Sequence, residues 1–104
     1  SRINGPTELQ RHLSYFQEGL GVTSRDMDIL NEILSESFMR RHTQYSSLKD
    51  MFGERGYNIS GAEDFKHVPL SELDNLVAQT THFTSWKRML EEAGRHYMTR
   101  MMIF

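Results

Sequence analysis

Apolar residues recur at intervals of three and four along almost the whole chain, and this spacing most restricts what the chain can fold into. No long stretch alternates apolar and polar residues, and no Asn-Gly or Asp-Gly pair marks a hairpin turn. The 104 residues have the length of one domain. We therefore predict one all-α domain over 1–104, with a flexible N-terminus at 1–6. Its architecture would be an irregular, roughly orthogonal bundle of five to six helices.

Capping residues and glycines predict where the first helices begin and end. Thr7 is the expected N-cap of the first helix. One long helix is predicted over 23–42, because its apolar residues cover nearly half of the circumference. A shorter helix is predicted over 44–56, ending at Gly53 or Gly56.

The sequence of the second half of the chain predicts three further helices. Ser60 and Glu63 have the spacing of a capping box for a helix of about two turns. Ser71 is the expected N-cap of the next helix, and Thr84 or Ser85 that of the last one. The sequence shows no internal repeat.

The last predicted helix changes character near its C-terminus. Over Trp86 to Tyr97 its apolar residues share one face, which predicts a helix packed on the core and anchored by Trp86. From Met98 onward apolar side chains point to all sides. This end either inserts between helices of its own domain, docks on a partner or second copy, or lies on a membrane. Its mixed charges disfavour a membrane. The candidate partner-binding residues are Met98, Arg100, Met101, Met102, Ile103 and Phe104.

Composition and motifs argue against chemistry at this chain's own side chains. There is no cysteine, which removes thiol catalysis and fits a cytoplasmic location. No nucleophile elbow, phosphate-binding loop or paired metal-ligand motif occurs. The histidines are scattered among caps and helix ends. We therefore expect no enzyme activity, no cofactor and no metal site.

A degenerate helix-turn-helix at 73–90 makes DNA binding the alternative function. Lys87 and Arg88 would point outward from the second helix, with Arg95, Arg40 and Arg41 as further contacts to phosphates. The net charge of −2 does not favour bulk attraction to nucleic acid. The preferred prediction is a non-catalytic interaction or regulatory module that binds a protein partner or a second copy.

Overall fold

The computed structural model describes residues 6–17 and 23–101, and these residues form an all-α fold without a strand. Over these residues seven helices make an irregular bundle, as the spacing of apolar residues predicts, although five to six helices were expected. Of the segment predicted to be flexible, only Pro6 is described, and it begins the first helix. The helices are α1 (Pro6–Gln17), α2 (Ser24–Ile33), α3 (Glu36–His42), α4 (Leu48–Gly53), α5 (Ala62–Phe65), α6 (Leu70–Thr80) and α7 (Trp86–Met101).

The last helix, α7, is the element on which α1, α2 and α6 pack. Trp86 at its first turn is only 1% exposed, which confirms its predicted role as an anchor. The indole N–H of Trp86 donates a hydrogen bond to the carbonyl oxygen of Phe16 at 2.6 Å. Further along, Gly94 lets the side chain of Leu13 approach the α7 backbone closely. These two contacts show that α1 and α7 run antiparallel.

The single helix predicted over 23–42 is wrong, because the chain breaks between α2 and α3. Leu34 leaves the helical region at φ −91° and ψ 58°. The hydroxyl of Ser35 then accepts a hydrogen bond from the backbone N–H of Phe38 and caps α3. Serine offers the backbone this bond as an alternative to a continuing helix. The wide apolar stripe therefore belongs to two helices.

Two predicted caps in the second half are also wrong. Gly61 is the N-cap of α5 and makes no side-chain cap bond, so Ser60 and Glu63 form no capping box. Instead the backbone N–H of Ser60 donates to the carboxylate of Asp64 at 2.9 Å. Ser71 lies inside the first turn of α6, which begins after Pro69.

Of the N-caps predicted for α1 and α7, the first is wrong and the second is confirmed. Thr7 is the second residue of α1, because Pro6 already belongs to the helix. Ser85 caps α7, as its hydroxyl accepts from the backbone N–H of Arg88 at 3.1 Å.

The structure reveals an internal repeat, which corrects the prediction that there is none. The segments TQYSSLKDMF (43–52) and THFTSWKRML (81–90) align without a gap. Each begins with a threonine that ends one helix and contains a serine that caps the next. We call residues 36–53, with α3 and α4, the first unit, and residues 70–101, with α6 and α7, the second unit.

The loops of the two units have the same geometry, and the units contact each other through these loops. In each, the threonine hydroxyl donates to the carbonyl oxygen four residues earlier, at 2.7 Å for Thr43 and 2.8 Å for Thr81. The hydroxyl oxygen of each threonine also accepts a hydrogen bond from the backbone N–H two residues later, at 2.9 Å. An isolated antiparallel bridge pairs Thr43 with Thr81. Because equivalent residues pair in opposite directions, the loops are related by a local two-fold axis.

Candidate functional site

The C-terminal end of α7 extends past the last residue that it buries in the core. Tyr97 is 4% exposed, and its hydroxyl donates to the carboxylate of Glu32. Met98 is half-buried against the core. Arg100 is exposed, and Met101, which the helical pattern places on the Trp86 face, is 45% exposed. A large apolar side chain therefore faces solvent on a turn that is still helical.

The remaining predicted contact residues, Met102, Ile103 and Phe104, lie outside the described residues. Insertion of the helix end between helices of its own domain fits Met98 in part and does not fit Met101. Within the described ranges, no helix combines the length and apolar content needed to cross a bilayer.

The arginines proposed for nucleic-acid contact each lie beside a carboxylate on their own helix, except Arg41. Arg40 contacts Glu36 at 2.7 Å, and Arg88 approaches Glu91 at 3.5 Å. These neighbouring carboxylates reduce the attraction of each arginine for a phosphate. Arg41 and Lys87 are exposed.

Arg95 makes the tightest of these pairs, on the polar face of α7. Its guanidinium donates twice to the carboxylate of Glu92, at 3.1 and 2.5 Å. These bonds hold the pKa of Glu92 below its ordinary value and raise the pKa of Arg95.

The segment 73–90 forms two helices joined by a five-residue loop, which is longer than the turn of about 3–4 residues in a helix-turn-helix. Two further details oppose DNA recognition. Arg88 occupies a position that the motif buries, and its side chain is 71% exposed. The carboxylate of Asp74 accepts a hydrogen bond from the Trp86 backbone N–H at 2.9 Å, at the N-terminus of α7. A negative charge therefore stands where a recognition helix would approach a phosphate.

The structure brings together two histidines that the sequence analysis treated as scattered. His42 and His82 are opposite each other beside the bridged threonines, with Nδ1 of His42 3.0 Å from Nε2 of His82. The ring of Phe38 lies 4.5 Å from that of His42, and the ring of Phe83 lies 4.2 Å from that of His82. Burial, followed by the charge of His82, lowers the pKa of His42 below its ordinary value of 6.5. The repeated Thr-x-aromatic pattern was the signal that could have placed the two loops together.

The described residues offer little for catalysis. No group of three or more His, Asp or Glu side chains among them is arranged to hold a metal ion. A cleft of about 270 Å³ lies between α2, α4 and the segment before α5. Its lining combines apolar side chains with two serines, one asparagine, one carboxylate and one lysine, but contains no histidine that could act as a base. The prediction that this is not an enzyme stays a prediction.

Comparison with models of protein families, with curated proteins and with solved structures finds no significant match to this chain.

Proposed function

We propose that the protein is a non-catalytic interaction or regulatory module that binds a protein partner, or a second copy of itself, through the end of α7. The observation that supports this most directly is that α7 continues beyond Tyr97 and exposes Met101. The contact surface, which we call the α7 end, comprises Met98, Arg100 and Met101 and extends to 102–104.

The chemistry of the α7 end suits a protein contact. Fully burying a methionine side chain contributes roughly 1.5–3 kcal/mol, and Met101, which is 45% exposed, forgoes part of this energy in the free chain. Methionine adapts to differently shaped partner surfaces, and arginine is enriched among residues that dominate binding. The polar face of α7 carries the Arg95–Glu92 pair instead of a lysine-rich surface, which disfavours a membrane. A cytoplasmic location is part of the proposal and rests on the absence of cysteine.

Two substitutions distinguish a specific contact at the α7 end from a general effect of exposed apolar side chains. Met101→Glu places a charge on the α7 end, and Leu70→Glu does the same at another exposed apolar side chain, which is 37% exposed. Both variants should keep the dispersed amide NMR spectrum of the folded chain. We expect Met101→Glu alone to abolish self-association in sedimentation experiments or the capture of a partner.

A truncated chain ending at Tyr97 completes the test. If it stays folded but no longer associates, the proposal holds. If it unfolds while the full chain is monomeric, the helix end is part of the core and the proposed surface is wrong.

DNA binding through the second unit is the alternative function, favoured by exposed Lys87 and Arg88 at the start of α7. A titration of mixed-sequence duplex against salt distinguishes the two. A DNA-binding regulator shows a linear fall of log K with log salt, with a slope of about −0.9 for each phosphate contacted. For an interaction module we expect no binding even at low salt.

A further inference from the structure

We propose that His42 and His82 form a pH-sensitive clasp that holds the two helix–loop–helix units together. This inference concerns the paired loops and does not depend on the interaction function proposed for the α7 end. The two imidazoles are adjacent to the bridged pair Thr43 and Thr81, at the place where the units meet. The contact between them therefore links two segments that are 40 positions apart in the chain.

The number of protons on the pair determines whether the contact is attractive. A separation of 3.0 Å between the two nitrogens requires one to donate an N–H and the other to accept with its lone pair. Two neutral rings can meet this condition, and so can one neutral ring with one protonated ring. When both are protonated, both facing nitrogens carry a hydrogen and neither can accept. The second proton therefore breaks the clasp and leaves two positive charges in contact.

The groups around the histidine pair make protonation of the second ring less favourable. Arg41 on the same helix and His96 on α7 add positive charge near His42, and Glu92 on α7 is the one carboxylate among the charged groups acting on it. That carboxylate is already engaged by Arg95. The rings of Phe38 and Phe83 remove water from one side of His42. Burial and these charges together lower the pKa of His42 below 6.5.

The direction of the pH effect follows from this lowered pKa. As the pH falls below 6.5, the unfolded chain binds a proton at His42 before the folded chain does. The contribution of His42 to the free energy of unfolding is therefore greatest above pH 6.5 and decreases as the pH falls through the folded pKa. The loops should separate locally over the same pH range, because His82 is exposed and His42 is only partly buried.

Two-dimensional NMR of the full chain tests this directly. The imidazole signals report the protonation of each histidine, and a nuclear Overhauser effect between Thr43 and Thr81 reports whether the loops are paired. His82→Gln supplies an uncharged amide that can donate to or accept from His42 in either protonation state. The matched control is His67→Gln, which replaces an exposed histidine in the segment between α5 and α6.

In the wild type, we expect the Thr43–Thr81 signal to disappear as the second ring of the pair protonates. In His82→Gln, the signal should persist at that pH, and the His42 midpoint should move up toward 6.5. His67→Gln should behave as the wild type. The proposal is overturned if the wild-type signal survives protonation of both rings, or if His82→Gln leaves the His42 midpoint unchanged. The first of these outcomes needs no variant, so it does not depend on whether His82→Gln folds.

Discussion

Replacement of Trp86 by phenylalanine tests whether this residue organises the core, as both its burial and its hydrogen bond indicate. The indole N–H donates to the carbonyl oxygen of Phe16, the penultimate residue of α1. The last four carbonyls of a helix have no partner within that helix. The side chain of Trp86 therefore caps the C-terminus of α1 from the first turn of α7.

The cost of the substitution has two parts. Leaving the Phe16 carbonyl buried without a donor costs about 1–3 kcal/mol. Phenylalanine also buries on the order of 50 Å² less apolar area than tryptophan, which at about 25 cal/mol per Å² adds about 1 kcal/mol. We expect Trp86→Phe to lower the free energy of unfolding by about 2–4 kcal/mol in total.

Phe65→Leu is the matched control for lost ring area. The ring of Phe65 lies 6.0 Å from that of Trp86 and is 3% exposed, so its loss removes buried area in the same region without removing a hydrogen bond. This control should cost about 1 kcal/mol. Urea denaturation followed by circular dichroism at 222 nm is the appropriate assay, because Trp86→Phe removes the only tryptophan fluorophore of the chain. If the two variants lose the same stability, the hydrogen bond contributes nothing net and the capping argument is wrong.

Four further substitutions test other contacts by the same denaturation assay. Gly94→Ala should destabilise by about 1 kcal/mol, since its Cβ would lie 2.8 Å from Cδ1 of Leu13. In a Leu13→Ala background it should stabilise by about 0.5–1 kcal/mol, and destabilisation in both backgrounds would contradict the steric explanation. Thr43→Val and Thr81→Val should cost similar amounts, about 1 kcal/mol each, because each loses equivalent loop bonds; a large inequality would argue against the repeat. Tyr97→Phe should cost about 1–2 kcal/mol through the lost bond to a carboxylate of α2 and should leave the fold unchanged by NMR.

The helical class was predictable from the sequence because each helix carries its own periodic signal. The break at Ser35 was not, because the apolar positions of α2 and α3 remain in phase across it. A serine in the middle of an apolar stripe is compatible with a continuous helix and with a new N-cap, and tertiary packing decides between them. The same competition explains why Ser85 was correctly predicted as a cap and Ser60 was not.

The two candidate sites differ in whether residues close together in the sequence are enough to reveal them. The change of pattern at Met98 was visible in the sequence because it concerns consecutive turns of one helix. The His42–His82 contact was not visible, because it requires the pairing of two loops that are far apart in the chain. The repeat that places them together has few identities, among them Thr43 with Thr81. Its strongest feature is the shared bonding of the loop threonines, which only the structure shows.

The histidine clasp lies beside the middle of α7, because Glu92 and His96 of that helix act on His42. Met101 is five residues beyond His96, which at a rise of 1.5 Å per residue corresponds to about 7.5 Å along the helix axis. This distance is close to the Debye length of about 8 Å at physiological ionic strength, so a charge at position 101 is only partly screened from His42. Met101→Glu should therefore raise the pKa of His42 slightly, and His82→Gln should leave association at pH 7 unchanged. If His82→Gln alters association at pH 7, the loops and the α7 end are mechanically coupled through the helix, and they form a single functional element.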